Sequence, residues 1–177
     1  MRYVKVRWLH DIESEPVELY SELDGDREVR KVEVYRDGRM DLADQSRETG
    51  TTVLSREPIP PIAEIARDPQ FEPEVVSRED FEVTWARALQ LQSWAAIEQR
   101  IRNVLTHVRS QLESGVVAEI EEYLDHNELG IALEYLSEML AEAEATLDEP
   151  IVSEVRDLTA VMELDADVAD RLEGLLP

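Results

Sequence analysis

The sequence predicts a two-part molecule: an α+β domain, in which an antiparallel meander sheet is backed by helices, followed by an all-α helical bundle. Three observations carry this expectation. Over the first 60 residues, apolar and polar side chains alternate in short runs punctuated by Asp-Gly pairs. From residue 94 onward, apolar residues recur at i, i+3, i+4 and i+7, the spacing of amphipathic helices. Charge is also unequal: residues 1–90 carry 13 basic and 21 acidic side chains, whereas residues 91–177 carry 5 and 20. The boundary is expected at residues 88–93, dividing a domain over 1–89 from one over 90–177.

Val4, Val6 and Trp8 alternate with Tyr3, Lys5, Arg7 and Leu9, which predicts a first strand. A polar turn over 11–16 follows. Val17, Leu19, Ser21 and Leu23 alternate with Glu18, Tyr20 and Glu22 in a second strand. Asp24-Gly25 then supplies a hairpin, because glycine enters the left-handed region that tight hairpins require. A third strand spans 29–35, with Val32 and Val34 inward and Lys31, Glu33 and Tyr35 outward. Asp37-Gly38 leads to a short fourth strand at 39–43, and residues 51–54 are a candidate fifth. The outward face would bear Tyr3, Lys5, Arg7, Glu18, Tyr20 and Glu22, a pattern of cross-strand ion pairs; a partner-binding face is the alternative.

The apolar face needs cover, and the segments after Pro58 are the candidates. Pro61 sits at the start of a short helix over 62–66, which Asp68-Pro69 ends. Ser77 followed three residues later by Asp80 reads as a capping box, with Val76 as a hydrophobic staple. Phe81, Trp85 and Leu89 form the apolar face of the helix that follows.

The second half predicts five helices with short corners. Trp94, Ile97, Ile101, Val104, Leu105, Val108 and Leu112 form the first stripe, which Ser114-Gly115 breaks. Val116, Val117, Ile120, Tyr123 and Leu124 form the second. Leu129, Leu133, Leu136, Met139, Leu140, Ala143 and Leu147 form the third, across the polar corner Asp125-His126-Asn127-Glu128. Pro150 opens a fourth helix bearing Ile151, Val155, Leu158 and Met162, and Asp165 caps a fifth bearing Val168, Leu172, Leu175 and Leu176. The exposed side of the central pair is anionic throughout, and no Lys or Arg occurs between Arg109 and Arg156.

Two resemblances add to this reading. The runs W-L-H-D at 8–11, E-P-V-E-L-Y-S-E-L-D at 15–24, E-V-R-K-V-E-V-Y-R-D-G-R at 28–39, E-P-I-P-P at 57–61 and D-P-x-F-x-P-E at 68–74 resemble an uncharacterised bacterial domain family over residues 1–88. That resemblance implies a small stand-alone or fused domain and no assigned activity. The run D-H-N-E-L-G-I-A-L-E-Y-L-S-E-M-L at 125–140 resembles the helix pair of MafI-type immunity proteins of polymorphic toxin systems. His126, Gly130, Ala132, Leu133, Glu134 and Leu136 match, within a likeness covering about 112–175. It implies an inhibitor that binds a cognate toxin and performs no chemistry.

Composition bounds the function. Hydrophobic content of 43% supports a packed core. A net charge of −23 argues against nucleic-acid and anionic-membrane binding, which need clustered Lys and Arg, and favours a partner with a basic surface. The alternative is that the acidity serves solubility alone. No cysteine is present, so thiolate chemistry and disulfides are excluded. The start lacks the long apolar run of a signal peptide and no window spans a membrane, so a cytoplasmic location is the expectation.

Candidate chemistry is sparse. His126 follows Glu122 by four residues, yet no H-E-x-x-H accompanies it, and no metal site is expected. His126 instead reads as a helix-end residue that bonds locally. His10 beside Asp11 lacks a nucleophile in an activating turn, and His107 flanks the apolar stripe as a half-buried structural residue. The six glycines form no phosphate-binding loop, so no cofactor is expected. What remains is an acidic contact surface built from Glu119, Glu122, Asp125, His126, Glu128, Glu138 and Glu142. Its carboxylates suit a basic cleft, and a nuclease is one candidate toxin. The expected function is therefore a non-enzymatic immunity protein; the alternative is another interaction module, and an enzyme working from His10 is the third reading.

Overall fold

Five strands form one antiparallel sheet in a computed structural model that describes residues 1–177. β1 (Arg2–Trp8), β2 (Glu18–Asp24), β3 (Arg27–Val34) and β4 (Met40–Ala43) run as a meander, and β5 (Phe71–Val75) returns beside β1. The order is β4-β3-β2-β1-β5. A run of helices follows the sheet, so the α+β and then helical architecture holds. The chain divides into two compact units, Met1–Ser93 and Trp94–Pro177.

The hairpins form where the glycines allow them: Gly25 and Gly38 take φ of 66° and 87°. The fifth strand is not at 51–54. Thr52 is buried there in a turn, and its hydroxyl donates to the Glu33 carboxylate at 2.5 Å. The strand lies instead at β5, where the expectation failed on Pro73. A proline is tolerated in an edge strand when its missing N–H faces outward. Gln70 carbonyl accepts from Leu9 N–H (2.8 Å) and Val76 N–H donates to Tyr3 carbonyl (3.1 Å). The even-numbered residues thus face β1, and Pro73 faces away from it.

The strand faces also differ from expectation. Tyr3 pairs with Glu22, Lys5 with Tyr20, and Tyr20 with Val32. Directly paired residues share a face, so Tyr3 and Tyr20 lie with Val32, Val34 and Leu42. Helix α2 (Arg78–Val108) covers this face with Phe81, Trp85 and Ala88. Val4 and Leu23 are buried on the opposite face. The segment after β4 is tied to that face, with Ser55 N–H donating to Glu28 at 2.8 Å. Both faces are covered, so the amphipathic Tyr and Lys residues bury their stems as readily as Val buries its whole side chain. Alternation alone could not separate core from solvent.

Arg30 fastens α2 to the sheet. Its guanidinium lies 4.8 Å from the Phe81 ring centre and 5.0 Å from that of Trp85. It also donates to Glu82 at 2.6 and 3.0 Å and to Glu22. The hydrogen bond from Arg30 pulls the Glu82 carboxyl below its ordinary range. A short helix, α1 (Ile62–Ile65), packs against β5.

Helix α2 is one element of 31 residues, where two helices were expected. No Gly or Pro occurs between Ser77 and Ser114, so nothing in the sequence ends it. The capping box is present: Ser77 Oγ accepts from Asp80 N–H (3.0 Å) and Asp80 accepts from Ser77 N–H (3.3 Å). The division between the two units falls inside this helix.

The second unit closes α2 with a 3₁₀ turn at Arg109–Gln111. It continues through α3 (Ser114–Asp125), α4 (Leu129–Glu142), α5 (Glu149–Val161) and α6 (Asp167–Glu173). Its core gathers Ile101, Val104, Ile120, Leu124, Leu133, Leu136, Leu140, Leu158 and Leu172. Trp94 stands outside that core, 38% exposed, where the stripe had included it. Helix α4 ends before Leu147, which is buried all the same, held by its N–H to Leu175 carbonyl (3.0 Å). Pro150 occupies the first turn of α5. Asp165 accepts from Asp167 N–H at 3.0 Å, with Ala166 as the capping position of α6. No helix is long and apolar enough to cross a membrane.

Candidate functional site

The corner between α3 and α4 sets the geometry of the acidic surface. Asn127 takes a left-handed φ of 59°, which a short amide side chain tolerates. Glu128 N–H then donates back to Tyr123 carbonyl (2.8 Å) and the chain reverses into α4. His126 Nδ1–H donates to Glu122 carbonyl at 2.8 Å, which places its proton on that nitrogen and its ring at the end of α3. The polar corner thus shapes the backbone and presents its carboxylates outward.

Charge in this unit is almost uncompensated. Arg100 pairs with Glu154 (2.7 Å), Arg102 with Glu98 (2.8 Å) and Asp125 (2.6 Å), Arg109 with Glu121 (2.9 Å) and Arg156 with Glu173 (2.9 Å). Arg171 donates to a backbone carbonyl, that of Asp167. The unit has five arginines, no lysine and 20 carboxylates, so 15 carboxylates have no cation beside them.

The predicted contact residues divide accordingly. Glu122, Glu128, Glu138 and Glu142 are exposed and without a cationic partner. Asp125 is exposed but held by Arg102, so its charge is partly spent inside the unit. Glu119 accepts from Tyr123 hydroxyl (3.1 Å) and Tyr135 hydroxyl (2.8 Å), linking α3 to α4. The two rings meet edge to face, their centres 5.9 Å apart. The hydrogen bond to Glu119 raises both phenols above their ordinary pKa, and nearby charges add to it: Glu128 and Glu122 at Tyr123, Glu138 at Tyr135. Glu119 thus holds one tyrosine pair, with Glu122 and Glu128 acting on Tyr123 and Glu138 on Tyr135, while Glu142 lies a further turn along α4. The sequence reading counted Tyr123 as core and passed over Tyr135. Its available signal was the i, i+4 spacing of Glu119 and Tyr123.

The other candidate, around His10, is engaged structurally. His10 Nδ1 accepts from Ile12 N–H (3.0 Å) and Nε2–H donates to Pro16 carbonyl (2.9 Å). Both ring nitrogens hold the loop. An open groove of about 950 Å³ lies beside it, lined by Lys5, Arg7, Trp8, Arg36, Glu72 and Glu74 among others. Lys5–Glu18 (2.8 Å) and Arg7–Glu72 (3.6 Å) pairs match part of its charge, and Arg36 donates to the His10 carbonyl. His107 is exposed, not half-buried, and its Nδ1–H donates to Asn103 carbonyl at 2.7 Å. No group of three or more His, Asp or Glu side chains converges to hold a metal ion.

Residues 2–90 match the family model described as Domain of unknown function (DUF6881). No curated protein and no solved structure matches the chain.

Proposed function

This chain belongs to the DUF6881 family, whose description carries no activity, and we propose from residues 94–177 that it is an immunity protein that binds and neutralises a cognate toxin. One observation carries the reading: 15 carboxylates on a small helical unit have no cation of their own. Keeping like charges together costs stability through self-repulsion, and a basic partner relieves it on docking. Such a field speeds encounter and aligns the two surfaces. The resemblance read in the sequence over residues 125–140 points the same way; the family match covers residues 2–90 and does not extend to it. The protein acts in the cytoplasm by masking a basic active site, such as that of a nuclease, and changes no bond.

The test is binding and protection. The genes flanking this one are searched for a basic toxin domain, which is co-expressed with the chain, and affinity is measured by calorimetry as salt is raised. Affinity falls with ionic strength. Reversal at Glu122, Glu128 and Glu138 to Lys lowers it at least ~100-fold, since desolvated charge pairs couple by ~1.5–7 kcal/mol each. Circular dichroism checks that the variant folds. A folded triple variant that binds and protects like wild type overturns the proposal in favour of acidity for solubility.

A further inference from the structure

The carboxylates of the second unit are spread over several helices, whereas two of its three aromatic side chains come together. Tyr123 and Tyr135 meet on the α3–α4 surface, held by one carboxylate. Ile131 lies one turn before Tyr135 on α4 and is 49% exposed, a large apolar residue at the surface. The exposed Glu122 and Glu128 carry charge near Tyr123, and the exposed Glu138 carries charge near Tyr135. Apolar and aromatic side chains ringed by charge form the usual anatomy of an interface centre, and tyrosine is enriched where binding energy concentrates.

We infer that Tyr123, Tyr135 and Ile131 anchor the partner and that the group they receive is an arginine side chain of a basic protein. This rests on the acidic surface being the binding face, as proposed above. Arginine fits better than lysine on three counts. Its planar guanidinium stacks on aromatic rings, it gives up water more readily, and its five donors reach several carboxylates at once. Its apolar stem packs on Ile131. A nucleic acid is not a fitting occupant, because its phosphates carry the same sign as the surrounding glutamates.

The experiment is an NMR titration of the full chain with octa-arginine and, separately, octa-lysine at 150 mM salt. The two peptides carry equal charge, so any difference reports the anchor and not the field. Octa-arginine binds about fivefold more tightly, the ratio expected for a cation–π contact of about 1 kcal/mol. Its largest shifts fall on residues 119–138. Tyr135→Leu, which keeps the apolar packing, removes the preference for arginine without abolishing binding. Equal affinities, with shifts spread evenly over Asp157, Asp165 and Asp170, overturn the anchor and leave the acidic binding face standing. No shift from either peptide overturns both.

Discussion

At the scale of single residues, the tyrosine pair makes a prediction independent of any partner. Both phenols are held above the ordinary value of 10.0, first by their hydrogen bonds to Glu119. A folded-state pKa above the unfolded one contributes stability that is complete below about pH 10 and disappears as pH climbs through the folded value. Melting temperature is therefore expected to fall as pH rises above about 10. The Tyr123→Phe, Tyr135→Phe double variant should fall less steeply, because Tyr3 and Tyr20, also raised, remain. Identical slopes would show that Glu119 does not hold the phenols. The residue scale is also where the sequence was least informative. Glu119 and Tyr123 are four apart and visible as a pair, but the bond from Tyr135 crosses two helices. That bond exists only because Asn127 turns the chain back, a conformation no spacing rule announces.

At the scale of elements, the strands of the meander were legible because Asp-Gly pairs and period-two alternation agree with one another. β5 was not, because Phe71-Glu72-Pro73-Glu74-Val75 alternates correctly while carrying a residue that normally breaks sheets. Helix α2 was cut in two because its apolar stripe changes direction between Leu89 and Ile97, although no breaker occurs. Its start was readable, and that start can be tested. Ser77→Ala removes the hydroxyl that accepts from Asp80 N–H and should cost about 1 kcal/mol in denaturant unfolding. Ser77→Asp, which keeps an acceptor at that position, should cost far less. No loss for Ser77→Ala would mean that the cap contributes nothing and that Arg30 and the packing of Phe81, Trp85 and Ala88 hold the helix.

At the scale of the whole molecule, net charge of −23 outweighs local ion pairs. Exposed pairs each contribute little and weaken in salt, whereas self-repulsion acts on every unpaired carboxylate. Raising salt from 10 to 300 mM shortens the Debye length from about 30 Å to below about 8 Å. Melting temperature should rise across that range; a fall would show that the ion pairs dominate. Charge is not the molecule's sole protection, however. Pro73 removes one donor from the outer flank of β5, and on the flank of β4 Thr49 occupies the backbone groups of Leu42 with its N–H and hydroxyl. When acid or a cationic partner cancels its surface charge, this protein can crowd or precipitate, and the proline and the threonine at the two rims are what slow the stacking of its sheet into fibrils.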